Sequence, residues 1–164
     1  MTAVRSLGLS GIALSLSLLV VAAPTAGQDA NAALSGFPNA ELRIEAPPAD
    51  GTPCRLDEQG LRNAVIKGLG QNGPRVGTSA LTLRLRVTTL YDAIAAKCYS
   101  ALQLTALTTQ QVILQANRVE MIAGIPLWDR TTLAVSGPDE HLDRASAQIG
   151  QVAGQFAADW RAAQ

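Results

Sequence analysis

Ala80–Leu90 reads ALTLRLRVTTL. Leu81, Leu83, Leu85 and Val87 alternate with Thr82, Arg84, Arg86 and Thr88. A side-chain period of two belongs to a strand with one face in a core and the other in water. A sheet built from such strands is covered on one side only, so the remaining segments must supply that cover.

On the C-terminal side, Cys98–Leu114 keeps Cys98, Leu102, Leu104 and Ala106 in phase against Tyr99, Gln103 and Thr105. The phase blurs at Leu107, the mark of a bulge. A turn near Ala116–Asn117 leads to a further strand with Val119, Met121, Ala123, Ile125 and Leu127 on the inner face. Pro126 suits an edge or a bulge there. On the N-terminal side, Glu41–Ala46 (ELRIEA) alternates charge with Leu42 and Ile44 as a half-buried strand, and Pro47, Pro48, Gly51 and Pro53 then forbid regular structure.

Two segments have helical spacing. Asp57 can cap the first, with Leu56 stapled against Leu61. Leu61, Ala64, Val65, Gly68 and Leu69 share one face, and Gly70, Gly73 and Pro74 end it. In the second, Leu142, Ala145, Ile149, Val152, Phe156 and Trp160 recur at steps of three and four, with Ser136 as its cap and Pro138, Asp139 and Glu140 in its first turn. The order β-α-β-β-β-α, whose first crossover makes strands 1 and 2 parallel, predicts an α+β fold: a four-stranded mixed sheet with two helices packed on one face.

The N-terminus predicts export. Arg5 is the only charge before an apolar stretch from Leu7 to Val21, followed by Pro24 and the small-residue exit Thr25-Ala26-Gly27. Residues 1–27 read as a cleavable signal peptide, too short and too rich in Ser and Gly for a membrane anchor. No cysteine near the exit can carry a lipid. Residues 28–40 read as a flexible lead-in and 41–164 as one domain, periplasmic or secreted, with no stable membrane insertion after cleavage.

The 164-residue chain carries 13 basic and 13 acidic side chains. Loss of Arg5 with the signal leaves one net negative charge, so no basic excess points to nucleic acid. Cys54 and Cys98 are the only cysteines. The topology brings both to one end of the sheet, and an even count in an exported chain predicts a disulfide.

No motif announces catalysis. His141, the sole histidine, lies in the run Asp139-Glu140-His141-Leu142-Asp143, which reads as the solvated first turn of a helix. No Gly-x-Ser-x-Gly elbow is present, and Gly68-Leu69-Gly70 lacks a P-loop lysine. The sequence predicts no cofactor and no metal site. Arg84 and Arg86 share the polar sheet face and are positioned to grip a carboxylate or anionic glycan. Trp128 has opposite parity to Leu127, so it marks either a contact surface or, if a bulge at Pro126 turns it, the core.

The close of the chain, Leu127-Trp128-Asp129-Arg130 and then a helix ending Phe156-Ala157-Ala158-Asp159-Trp160-Arg161-Ala162-Ala163, resembles that of small exported bacterial proteins of uncharacterised role. The layout is also similar to envelope-assembly accessory domains with two helices on one sheet face. The open polar sheet face, an available strand edge and the lack of a catalytic motif predict a non-catalytic periplasmic accessory or protein-interaction domain that binds another envelope protein. A binder of a small anionic ligand or glycan is the alternative, and a hydrolase built on His141 the third reading.

Overall fold

A computed structural model of the chain describes residues 33–45, 53–114 and 119–164. The expected signal segment and the turn at Ala116–Asn117 lie outside the described residues. The elements are β1 (Asn39–Glu45), α1 (Glu58–Leu69), β2 (Arg75–Val76), β3 (Leu81–Asp92), β4 (Lys97–Leu114), β5 (Val119–Ser136), a 3-10 turn (Pro138–Glu140) and α2 (His141–Ala162). The sheet has the order β2-β1-β3-β4-β5. β1 is parallel to both β2 and β3, while β3–β4 and β4–β5 are antiparallel.

The α+β class, the two helices and the mixed sheet are therefore as expected, but the sheet has five strands and not four. The additional strand, β2, has only two residues, too few for any alternation to register. It is held by backbone contacts instead. Asn39 and Ala40 pair with Arg75 and Val76, Gly77 N–H donates to the Ala40 carbonyl at 2.9 Å, and Ser79 Oγ donates to the Asn39 carbonyl at 2.7 Å.

The core lies between the sheet and the helices. Leu81, Leu83, Leu85 and Val87 of β3 are buried, as are Leu102, Leu104 and Ala106 on β4. They meet Leu61, Val65 and Leu69 of α1 and Ala145, Ile149, Val152, Phe156 and Ala157 of α2. Burying a leucine-sized side chain is worth about 1.5–3 kcal/mol, so the alternation of β3 supplies both its local geometry and much of its anchorage.

α1 starts where its cap dictates: Asp57 Oδ1 accepts the Gly60 N–H at 2.7 Å. Leu56 and Leu61 are both buried, consistent with the staple. α1 and α2 approach closely at Gly68, where an added Cβ would lie 2.8 Å from the Ala153 Cβ. Only glycine fits that crossing. Ahead of β1, the segment read as a lead-in contributes to the core: Leu34 is fully buried, and Trp160 Nε1 donates to the Phe37 carbonyl at 2.9 Å.

Cys54 and Cys98 form a disulfide with Cα atoms 5.8 Å apart and 44 residues of separation. Both are completely buried. The bond ties the approach to α1 to the start of β4, at the end of the sheet where the topology had placed both thiols.

Candidate functional site

β1, β3, β4 and β5 present their second face away from the helices, and the register divides that face into rows. Two rows at the disulfide end are largely apolar: Leu90, Tyr99 and Val135 form one, and Thr88, Ala101 and Leu133 the next. Ile94 lies in the β3–β4 turn just above them. Exposure is high for this residue type: 68% for Leu90, 60% for Leu133, 36% for Val135 and 100% for Ile94. Of the six large hydrophobic residues exposed among the described residues, these are four. A cluster of that kind on an otherwise polar surface marks a contact site.

The rows below are polar. Glu45, Arg86, Gln103 and Thr131 form one, and Arg43, Arg84, Thr105 and Asp129 the next. Arg84 and Arg86 do share this face, as their spacing requires. Carboxylates stand among them, however, and Arg86 is in a direct ion pair. Arg86 Nε bonds Glu45 Oε2 at 3.2 Å and Arg43 Nε bonds Glu41 Oε1 at 2.9 Å. Asp129 Oδ1 accepts from Gln103 Nε2 at 3.0 Å and from Thr105 Oγ1 at 2.6 Å. Three arginines thus stand among three carboxylates, which leaves no net positive field to gather an anion.

Trp128 belongs to the core. The β4–β5 register shifts between Ala106 and Leu107, pairing Ala106 with Trp128 and Leu107 with Pro126. Leu127 is the extra residue, and the bulge rotates Trp128 onto the helix side. There it is buried, packs edge-on against Phe156 with ring centroids 5.1 Å apart, and donates from Nε1 to Asp159 Oδ2 at 2.9 Å. Of the three residues read as a binding face, only Arg84 and Arg86 lie on the uncovered side.

His141 corrects the sequence reading in the opposite sense. It is fully buried and not solvated. Nδ1 lies 2.8 Å from Ser136 Oγ, and Nε2 lies 2.7 Å from Ser100 Oγ, which is 2.8 Å from Thr89 Oγ1. Ser136 donates its own proton to the Gly137 carbonyl at 3.1 Å. It therefore accepts from Nδ1–H, leaving Nε2 to accept from Ser100 and Ser100 to accept from Thr89. Ser136 serves this network and does not cap α2, which has no side-chain cap. The Ser100–His141 distance suits a nucleophile and its base, but both residues have no accessible surface. The four side chains join β3, β4, β5 and α2 directly behind the apolar rows.

Burial holds the His141 imidazole below its ordinary pKa. The folded protein thus binds fewer protons than the unfolded chain once pH falls through about 6.5. Stability is unaffected by His141 above that pH. Below it, stability declines by up to about 1.4 kcal/mol per pH unit until the folded histidine titrates. Denaturant unfolding between about pH 7.5 and 5 will show this decline, and His141→Gln will flatten it. An unchanged slope in the variant would exclude the histidine as its source.

An open groove of about 620 Å³ separates the outer surfaces of the helices, lined by Gly60, Asn63, Ala64, Lys67, Gly68 and Gly150. It follows from the small residues at the helix crossing. Among the described residues no helix is long and apolar enough to cross a membrane.

No family model matches the chain, and no curated protein matches it.

Proposed function

We propose that the chain is exported and acts as a non-catalytic accessory domain of the bacterial envelope, docking another envelope protein on the uncovered sheet face. The observation that carries this reading is the pair of apolar rows around Leu90, Tyr99, Leu133 and Val135. Exposed leucines on a polar sheet face weaken solubility without strengthening the core, so a covering partner gives them a role. The disulfide supports an oxidising compartment, in keeping with the signal-like N-terminus. The polar rows suit the rim of such an interface, where charged groups set orientation more than affinity.

The test is site-specific photo-crosslinking in living cells. A photoreactive residue at Leu90 will give a discrete crosslinked product with another envelope protein, and one at Gln151 on the exposed side of α2 will not. Equal, diffuse labelling from both positions would remove the reading. Leu90→Lys, at a position that supports no core contact, will abolish capture while leaving the fold intact by circular dichroism.

A further inference from the structure

We infer that the C-terminal half of β5 is a dimerisation edge, on which a second copy of this chain adds its own β5 in antiparallel orientation. The inference rests on the reading of the uncovered face as a docking surface and says how that surface is enlarged.

β5 ends the strand order and, among the described residues, has β4 as its only neighbour. A strand edge carries a row of backbone donors and acceptors aimed sideways, and proteins that must stay monomeric blunt it with charge, proline or bulges. β5 is blunted unevenly. Pro126 and the bulge at Leu127 interrupt its first half, while Pro138 follows its end. Between these interruptions Thr131-Thr132-Leu133-Ala134-Val135-Ser136 has no charge and no proline, the composition that most readily accepts another strand.

Leu133, 60% exposed, is the most exposed apolar residue of this run. A two-fold axis perpendicular to the sheet beside Leu133 would pair the strand with itself from Asp129 to Gly137, one residue beyond the strand's end at Ser136. Leu133 would face Leu133 of the second copy, Thr131 would face Val135, Thr132 would face Ala134, Arg130 would face Ser136 and Asp129 would face Gly137. Apolar and β-branched residues would then meet across the new ladder, and no like charges would stand opposite each other.

Such a pairing keeps the helices of both copies on one side and leaves both uncovered faces on the other. The apolar rows of the copies would join at Leu133 into a single surface of about twice the area. One copy's rows span three strands at about 4.8 Å spacing, small beside the roughly 800 Å² per partner of a stable interface. The dimer supplies the larger platform.

Sedimentation velocity on the mature, disulfide-bonded protein from about 1 to about 100 μM tests the inference. We expect a reversible monomer–dimer equilibrium. Leu133→Lys will weaken it at least tenfold, and Leu90→Lys, two strands from the edge, will leave it unchanged. Leu133→Cys will crosslink to itself under mild oxidation, because facing positions lie about 5 Å apart, within disulfide reach. A protein that stays monomeric over the whole range, or a dimer indifferent to Leu133→Lys, overturns the inference. Either result leaves the Leu90 crosslinking test untouched, so failure of the dimer and failure of the docking reading are separable.

Discussion

Replacing Cys54 and Cys98 together with alanine will lower the unfolding free energy by about 4 kcal/mol, the entropic cost of releasing a loop of this length. The separation of 44 residues sets that magnitude, and strain or residual structure in the unfolded chain reduces it. The effect is large against the 5–15 kcal/mol of an ordinary domain. The bond also holds the approach to α1 against β4, so its loss frees the segment that presents the Asp57 cap. Urea unfolding followed by circular dichroism measures the change. Reductant will reproduce the loss in the native chain and do nothing to the double variant. A difference below about 1 kcal/mol would show that the bond is incidental to the fold.

Trp128→Ala is expected to cost about 3–5 kcal/mol, the range for emptying an aromatic site in a core. The indole fills the space over the β-bulge and meets Phe156 edge-on. It also closes a hydrogen bond to Asp159 that the alanine cannot replace. Trp128→Phe separates these contributions. The smaller ring keeps much of the packing but not the donor, so its cost should be about 1–2 kcal/mol. Both are read by circular dichroism, since the substitution alters fluorescence directly. Were Trp128 a surface contact residue, alanine would change stability by no more than about 0.5 kcal/mol.

The contrast between Trp128 and His141 shows how far the sequence carries the structure. The long strands of the sheet announce themselves because each residue's side is fixed by a period of two, and burial follows that period from Leu83 to Val87. The bulge resets the period. Leu107 signals it only as a blur, so parity alone leaves Trp128 undecided between two faces, and pairing with Ala106 is what resolves it. β2 is invisible for a different reason: a two-residue strand has no period, and Pro74 and Gly77 on either side resemble a turn.

For His141 a signal was present. Stepping back four residues from Ala145 along the stripe Ala145–Ile149–Val152–Phe156 lands on His141, which places it on the buried side. The acidic neighbours Asp139, Glu140 and Asp143 point instead to solvent, and all three are exposed. Burial of the histidine depends on hydroxyls from Ser100, Ser136 and Thr89, supplied by three other strand positions. No local pattern reveals that supply.

The uncovered face was legible in kind but not in detail. Alternation placed Arg84 and Arg86 on it correctly. Cross-strand register decided the rest, because it sets Glu45 beside Arg86 and stacks Leu90, Tyr99 and Val135 in one row. The arginines lose their prominence through the first alignment, and the apolar rows gain theirs through the second.

Cysteine accessibility in intact cells tests the account most directly. Leu90→Cys, probed with a membrane-impermeant maleimide, should label fully in the purified protein and be protected in the intact envelope. Gln151→Cys should label in both. Equal labelling of Leu90→Cys in the two settings would contradict the claim that the apolar half of the open sheet face is covered by a partner.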